Sequence, residues 1–332
     1  MIASGHWPSV GVIIPTRDRP ELLRRAVAGV VAQDYPGPVR TIVIFDQHDP
    51  DASLCRGGER PLDVLPNLHK PGLAGARNTG IVALDTDLVA FCDDDVWLPT
   101  KLRRQVHALQ QRPQAEFCTS AIEVEFGDRL TPRLAGASLV GLDDLVRSRM
   151  SMLHSSTFLV RRAAFAADEM GLVAEDAPGS QNEDWDLLLR AAKRGEIVHV
   201  DDPLVRVLWG RTSMFAYEYG TKMASLRWMM TRHPEIAAST TGAGRVYGQL
   251  ACWSAATGNR RDAWRWTKAA MRSNWREPRA ATGNRRDAWR WTKAAMRSNW
   301  REPRAAIALA AVTGVVKVES VLGALHRRGR GI

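Results

Sequence analysis

The sequence predicts an α/β fold: a mixed, mainly parallel sheet flanked by helices, with a C-terminal helical appendage. Three observations carry this. The runs Val10–Ile14, Thr41–Phe45 and Leu88–Cys92 are short, almost wholly apolar and rich in β-branched residues, the pattern of strands buried on both faces. A helical period separates the first two runs, which makes a strand–helix–strand unit with right-handed connection. Each run also ends in turn-forming or acidic residues: Pro15-Thr16, Asp46, and Asp93-Asp94-Asp95.

The first helix follows the first strand directly. Asp18 is placed to cap it, Pro20 fits its first turn, and Glu21 completes an Asp-x-x-Glu capping box ahead of Leu22, Leu23, Ala26, Val27 and Val30. The second strand ends at Asp46-Gln47-His48-Asp49. Gly72 to Gly80 then opens another helix, whose amino end and small residues allow close approach of an anion; close helix packing is the other reading of Gly75 and Gly80. The third strand ends at the acidic triplet. In open α/β sheets ligands bind outside the carboxyl ends of strands, so Asp46 and the triplet are expected to face one crevice. Adjacent carboxylates repel unless a cation neutralises them, which makes the triplet a candidate metal site; a solvated acidic turn is the alternative.

Further along, Met152-Leu153-His154-Ser155-Ser156-Thr157 precedes an expected strand at Phe158–Val160, and reads either as small polar groups near a substrate or as a simple turn. Gln181 to Arg190 begins a helix capped by Asn182 and closed by Gly195. Its acids, Glu183, Asp184 and Asp186, either complement the helix dipole or supply a general base. A strand at Leu204–Leu208 leads into Trp209-Gly210-Arg211. The pattern then turns helical, at Tyr217–Thr231, Gly244–Ala255, a repeated segment and Ala305–Leu325, which places an α/β domain at 1–213 and a helical region at 214–332.

Residues 256–280 and 281–305 are identical. The two copies together carry the whole net charge of +10 and half of the twelve tryptophans. One copy forms a single helix, Arg260 to Ser273, with Ala263, Trp266, Thr267 and Ala270 along one face. Solenoid repeats carry a complete supersecondary unit and drift in sequence, so a recent tandem duplication or an assembly error is the better reading. Deleting one copy is expected to leave fold and activity intact. The 332 residues, with 45% hydrophobic and 25% charged content, suit about two soluble domains. No leader opens the chain, and the apolar stretch at 305–316 is too short to span a bilayer, so a cytoplasmic protein is expected. The four cysteines are scattered and the eight histidines show no ligand spacing, which argues against disulfides and structural zinc.

Taken together, Val12-Ile13-Ile14-Pro15-Thr16-Arg17-Asp18-Arg19-Pro20, the strand ending in Asp46, Ala76-Arg77-Asn78-Thr79-Gly80 and Phe91-Cys92-Asp93-Asp94-Asp95 resemble the family 2 glycosyltransferases in order and spacing, over about residues 9–215. The resemblance implies the GT-A fold, a nucleotide-sugar donor, and transfer with inversion to a hydroxyl of a glycan or lipid-linked acceptor, in polysaccharide, glycolipid or cell-envelope glycan synthesis. It implies donor contacts at Pro15, Thr16, Arg17, Asp46, Arg77, Asn78, Asp93, Asp94 and Arg211. Asp93 and Asp95 would hold Mg²⁺ or Mn²⁺, and Asp184 would serve as base, with Glu183 the alternative and Asp186 third. Gln47-His48 departs from the usual continuation after the aspartate of the second strand, which leaves the nucleotide open.

The chemistry is consistent with these residue types. Departure of a nucleoside diphosphate develops negative charge, which a divalent ion stabilises, and oxygen ligands suit Mg²⁺ or Mn²⁺ better than zinc. Two other functions compete. A sugar nucleotidyltransferase would carry a glycine- and basic-rich signature near the first strand, which Pro15 to Pro20 lack. A non-catalytic protein binding nucleic acid or membrane rests on a charge confined to the duplication. Specific nucleic-acid binding is therefore not expected, while the basic C-terminal helices read as a small helical packing subdomain, with peripheral contact with an anionic membrane as the other reading.

Overall fold

A computed structural model describes residues 7–209 and 218–274. The chain divides into two compact units, residues 1–145 with 149–213, and residues 146–148 with 214–332. In the first unit β1 (Val10–Thr16), β2 (Val39–Phe45), β3 (Leu62–Pro66) and β4 (Leu88–Phe91) lie parallel in the order β3-β2-β1-β4. Helix α1 (Pro20–Val31) connects β1 to β2, and α2 (Leu73–Ala83) connects β3 to β4. β3 has no counterpart among the predicted strands: it is five residues long, contains Asp63 and ends in Pro66, composition that only a sheet edge tolerates.

The sheet continues through β9 (Leu159–Arg161), which runs antiparallel between β4 and β6 (Phe117–Phe126). β10 (Ile197–Leu208) lies parallel to β6, and β5 (Val96–Trp97) closes the edge antiparallel to β10. Short strands β7 (Arg129–Arg133) and β8 (Leu139–Val140) pair with β6 and β10. Helices α3 (Lys101–Gln110), α4 (Leu142–Arg147) and α5 (Glu183–Arg194) complete the connections.

The alternation of β1 explains its core. Val10, Val12 and Ile14 join Leu23, Ala26, Val27 and Val30 of α1, with Trp97, Leu102 and Val106, in one buried cluster. Ile13 points the other way, toward α2. A Cβ on Gly80 would come 2.6 Å from Ile13 Cγ2, and one on Gly75 would come 2.0 Å from the Lys70 carbonyl oxygen. Those glycines therefore serve close packing.

The capping box is corrected. The residue before α1 is Arg19, with no side-chain cap; Asp18 adopts φ +56° and its carboxylate lies 2.5 Å from His48 Nε2. A left-handed residue at this point turns the side chain away from the helix amides.

In the second unit α6 (Tyr219–Arg232), α7 (Pro234–Ala238), α8 (Thr240–Ala256) and α9 (Arg260–Asn274) follow in sequence. α9 is the first copy of the repeat, and it buries Ala263, Thr267 and Ala270, the face its spacing defines. Trp266 stacks on Tyr247 of α8, with ring centroids 5.5 Å apart. The second copy and the expected helix at 305–325 fall outside the described residues. Among the described residues no helix is long and apolar enough to cross a membrane.

Candidate active site

Parallel strands deliver Thr16, Asp46 and Asp93 to one edge of the sheet. Because β9 runs antiparallel, the chain entering it arrives at that same edge, which sets residues 154–157 against the acidic triplet. Ser155 Oγ donates to Asp93 Oδ2 at 2.6 Å, and Ser156 Oγ donates to Asp95 Oδ2 at 2.5 Å while accepting from the Asp93 amide at 3.0 Å. Below them Trp97 Nε1 donates to the Ser156 carbonyl at 3.0 Å. His154 Nδ1 lies 3.2 Å from Asp95 Oδ2. One ligand atom from each of Asp93, Asp95 and His154 falls within 4.8 Å of the others.

That donor set fits a divalent cation. It includes both predicted carboxylates and adds a histidine, from a segment about sixty residues downstream that spacing does not connect to the triplet. Burial opposes ionisation of Asp93, but Arg77, His154 and Ser155 outweigh it and hold the carboxyl below its ordinary value. His154 is pushed up to about 9: burial works against its charge, and Asp95 more than offsets it. Asp94 points away from this group to pair with Arg19, and burial together with Asp95 raises its pKa.

A second acidic centre opens α5. Arg77, 1% exposed on α2, donates from Nη1 to Glu183 Oε1 at 2.9 Å and from Nη2 to the Asp93 oxygens at 2.8 and 3.0 Å. Arg77, expected among the donor contacts, is thus held between carboxylates, because a fully buried guanidinium needs anionic partners. Burial first, and then the charge of Asp184, push Glu183 up to about 7 despite Arg77. Asp184 goes the other way: burial opposes its ionisation, but Arg149, His154 and Arg77 hold it low. Asn182 precedes the helix at φ +65° and its side chain makes no capping hydrogen bond. Asp186 is buried in a pair with Arg190, whose Nη2 donates to the Leu172 carbonyl; that is a structural tie.

At the far end of the edge, Asp46 is 5% exposed and accepts from Asn67 Nδ2 at 2.8 Å, Gln47 Nε2 at 3.0 Å and the Gly72 amide at 3.1 Å. Burial works against its ionisation, and these three donors lower its pKa regardless. Asn78, expected at the donor, instead spends its amide on residues 173–175: Nδ2 donates to the Val173 carbonyl and to Glu175, and Oδ1 accepts from the Val173 amide. Its place inside α2 turns it toward that loop. Pro15 is buried in the ladder opposite Ile44, Thr16 is half-buried at the strand end, and Arg17 is exposed beside Asp18. Arg211 falls outside the described residues.

Two site residues escaped the sequence reading, and a third, His154, was read without its partner. Asn67 and Arg149 carry no local signal, and the charge of His154 acquires meaning only beside Asp95.

A mainly parallel sheet with an Asp-x-Asp element after its fourth strand and a Glu-Asp pair at a facing helix start defines the GT-A class of α/β fold. The chain belongs to the glycosyltransferase like family 2, whose sequence pattern matches residues 8–231. A pre-mycofactocin glycosyltransferase of Mycobacterium tuberculosis is 33% identical over 162 residues, covering 47% of this chain; the match spans 29% of that relative's length. The fold is shared with S. aureus TarS, solved with UDP-GlcNAc, at a TM-score of 0.57 and 14% identity, covering 97% of this chain and 92% of that one. It is shared also with the mannosyltransferase PcManGT of Pyrobaculum calidifontis, solved with GDP-Man and Mn²⁺, at a TM-score of 0.52 and 15% identity, covering 94% and 88%.

Proposed function

We propose that this chain transfers a sugar from a nucleotide-sugar donor to a hydroxyl acceptor with inversion. The observation that carries the reading is the bridge through Arg77, which links the Asp93 end of a candidate metal group to the Glu183-Asp184 pair. In such a reaction the leaving diphosphate and the attacking hydroxyl lie on opposite sides of the anomeric carbon. Two acidic centres held at a fixed separation on one sheet edge suit that division of labour.

Asp93, Asp95 and, on losing its proton to the ion, His154 would hold the metal, and Mn²⁺ suits a set containing one imidazole better than Mg²⁺. The bound ion would stabilise negative charge developing on the departing diphosphate. Ser155 and Ser156 fix the carboxylate orientations, as outer partners of metal ligands do. Asp46 organises residues 67–72 around the nucleotide end through Asn67 and the Gly72 amide. Asp184, ionised by its cationic neighbours, receives the acceptor proton. Solved relatives with UDP-GlcNAc and with GDP-Man and Mn²⁺ support the donor class and the ion. A glycan or lipid-linked acceptor of the cell envelope is the acceptor class we assign. Contact with a membrane surface is assigned to the basic repeat, most of which lies beyond the described residues.

The test is a panel of UDP-, GDP- and dTDP-sugars assayed for hydrolysis and transfer with Mn²⁺ and after chelation. Turnover that needs the ion and is abolished by Asp95→Ala and by Asp184→Asn is expected. Ordinary turnover in both variants would refute the assigned sites.

A further inference from the structure

We propose that Arg149 is a positioning residue that commits Asp184, rather than its neighbour Glu183, to receiving the acceptor proton. The inference rests on the assignment of Asp184 as base.

Glu183 and Asp184 are consecutive, and two carboxylates this close do not both ionise freely. Each is taken by a different arginine. On the inner side Arg77 holds Glu183 while also serving Asp93. On the outer side Arg149 Nη2 lies 2.9 and 3.0 Å from the two oxygens of Asp184. Exposure follows the same division: the Arg149 side chain is 46% exposed and that of Asp184 14%, against 5% for Glu183 and 1% for Arg77. Asp184 is thus the member of the pair that a substrate hydroxyl can reach, and the cation beside it faces outward.

The segment that delivers Arg149 is held in an uncommon backbone conformation, with Met150 at φ +47°. The charged groups acting on Asp184 are Arg149, His154 and Arg77 as cations, with Glu183 as the opposing like charge. Among the cations Arg149 is first, and it alone of the two arginines hydrogen-bonds Asp184. Arg77 spends its Nη donors on Glu183 and Asp93, so without Arg149 the pair loses the contact that distinguishes its members.

The experiment uses the full chain labelled with [13Cγ]aspartate, in which the signal missing from Asp184→Asn belongs to Asp184. Removing the cation in Arg149→Met should raise the titration midpoint of that signal by about one pH unit or more. Arg149→Lys, which keeps a charge, should retain most of the wild-type value. The acid limb of kcat/KM for Mn²⁺-dependent hydrolysis of UDP-GlcNAc or GDP-Man should move the same way. At a pH below both midpoints, Arg149→Met would then be roughly tenfold less active, relative to its own value at pH 8, than the wild type. An unmoved midpoint overturns the inference, even if KM changes, because a residue that merely docks its segment would not move the titration. Retention of wild-type turnover in Asp184→Asn would instead sink the base assignment itself. An inactive Asp184→Asn with an unmoved midpoint in Arg149→Met removes only the role given to Arg149.

Discussion

Arg77 Nη1 lies 2.9 Å from Glu183 Oε1, so a fully buried cation of α2 fastens the first turn of α5. The same guanidinium reaches Asp93 through Nη2, and the residue is therefore the hub of the candidate site. Arg77→Met would leave two buried carboxylates without their cation, at a cost of about 3–5 kcal/mol. Lysine should not restore the loss, since one ammonium does not reproduce the fork that spans both acids. Urea unfolding measures this; a loss below about 1 kcal/mol would show that the hub is not structural.

The two acids of α5 should respond differently to amide substitution. Asp184→Asn is expected to lower turnover by about 10²–10⁴. Glu183→Gln should cost less than about tenfold near neutral pH. Burial and the charge of Asp184 push Glu183 up to about 7, which favours its protonated form on the acid side, and glutamine imitates that form. The deficit of Glu183→Gln should accordingly grow as pH rises from about 6 to about 8.5. Equal losses in the two variants at every pH would contradict the division of roles.

Ser156 holds Asp95 at 2.5 Å without itself being a candidate ligand. Ser156→Ala is expected to weaken Mn²⁺ binding by about tenfold, the usual effect of removing a group that orients a metal ligand. Asp95→Ala should abolish binding. Titration of free Mn²⁺ by electron paramagnetic resonance reads both effects without any turnover, and wild-type affinity in Asp95→Ala would exclude this site.

Lys101 tests the core beneath the site. Its ammonium is fully buried, lies 3.8 Å from the ring centroid of Trp97 and has no hydrogen-bond partner. Burial lowers its pKa to about 7 from the usual 10.5. Between those values the unfolded chain binds a proton that the folded one does not, so this residue makes stability rise with pH. Below about 7 both states are charged and the penalty is complete. Lys101→Met should therefore stabilise the fold most near pH 6, by about 1–4 kcal/mol, with the gain shrinking toward pH 10. Thermal unfolding of both proteins across that range decides it, and a gain independent of pH would show that the charge is not the cause.

Much of the fold was legible because its signals are local. The runs ending at Thr16, Asp46 and the triplet are apolar enough to be buried on both faces, and the polar residue that ends each run marks the sheet edge. The acids of α5 stood out for the same reason, as did the buried face of the repeat at Ala263, Thr267 and Ala270. β5 to β8 were not read as strands, and β3 was missed because a five-residue edge strand containing Asp63 and Pro66 has no periodicity to read. Asp18 looked like a cap, and its left-handed backbone sends it to His48 instead.

The sequence by itself determined that this chain builds an α/β sheet with carboxylates at its strand ends, since strand pattern and strand termination are written residue by residue. The tertiary structure decided what those carboxylates meet. Antiparallel β9 brings His154, Ser155 and Ser156 to Asp93 and Asp95 from about sixty residues away. Burial turns Arg77 and Asn78 from expected donor contacts into internal ties. Arg149 meets Asp184 across 35 residues. Charges and hydrogen bonds act through space at a few ångströms, and only the packed chain sets those distances.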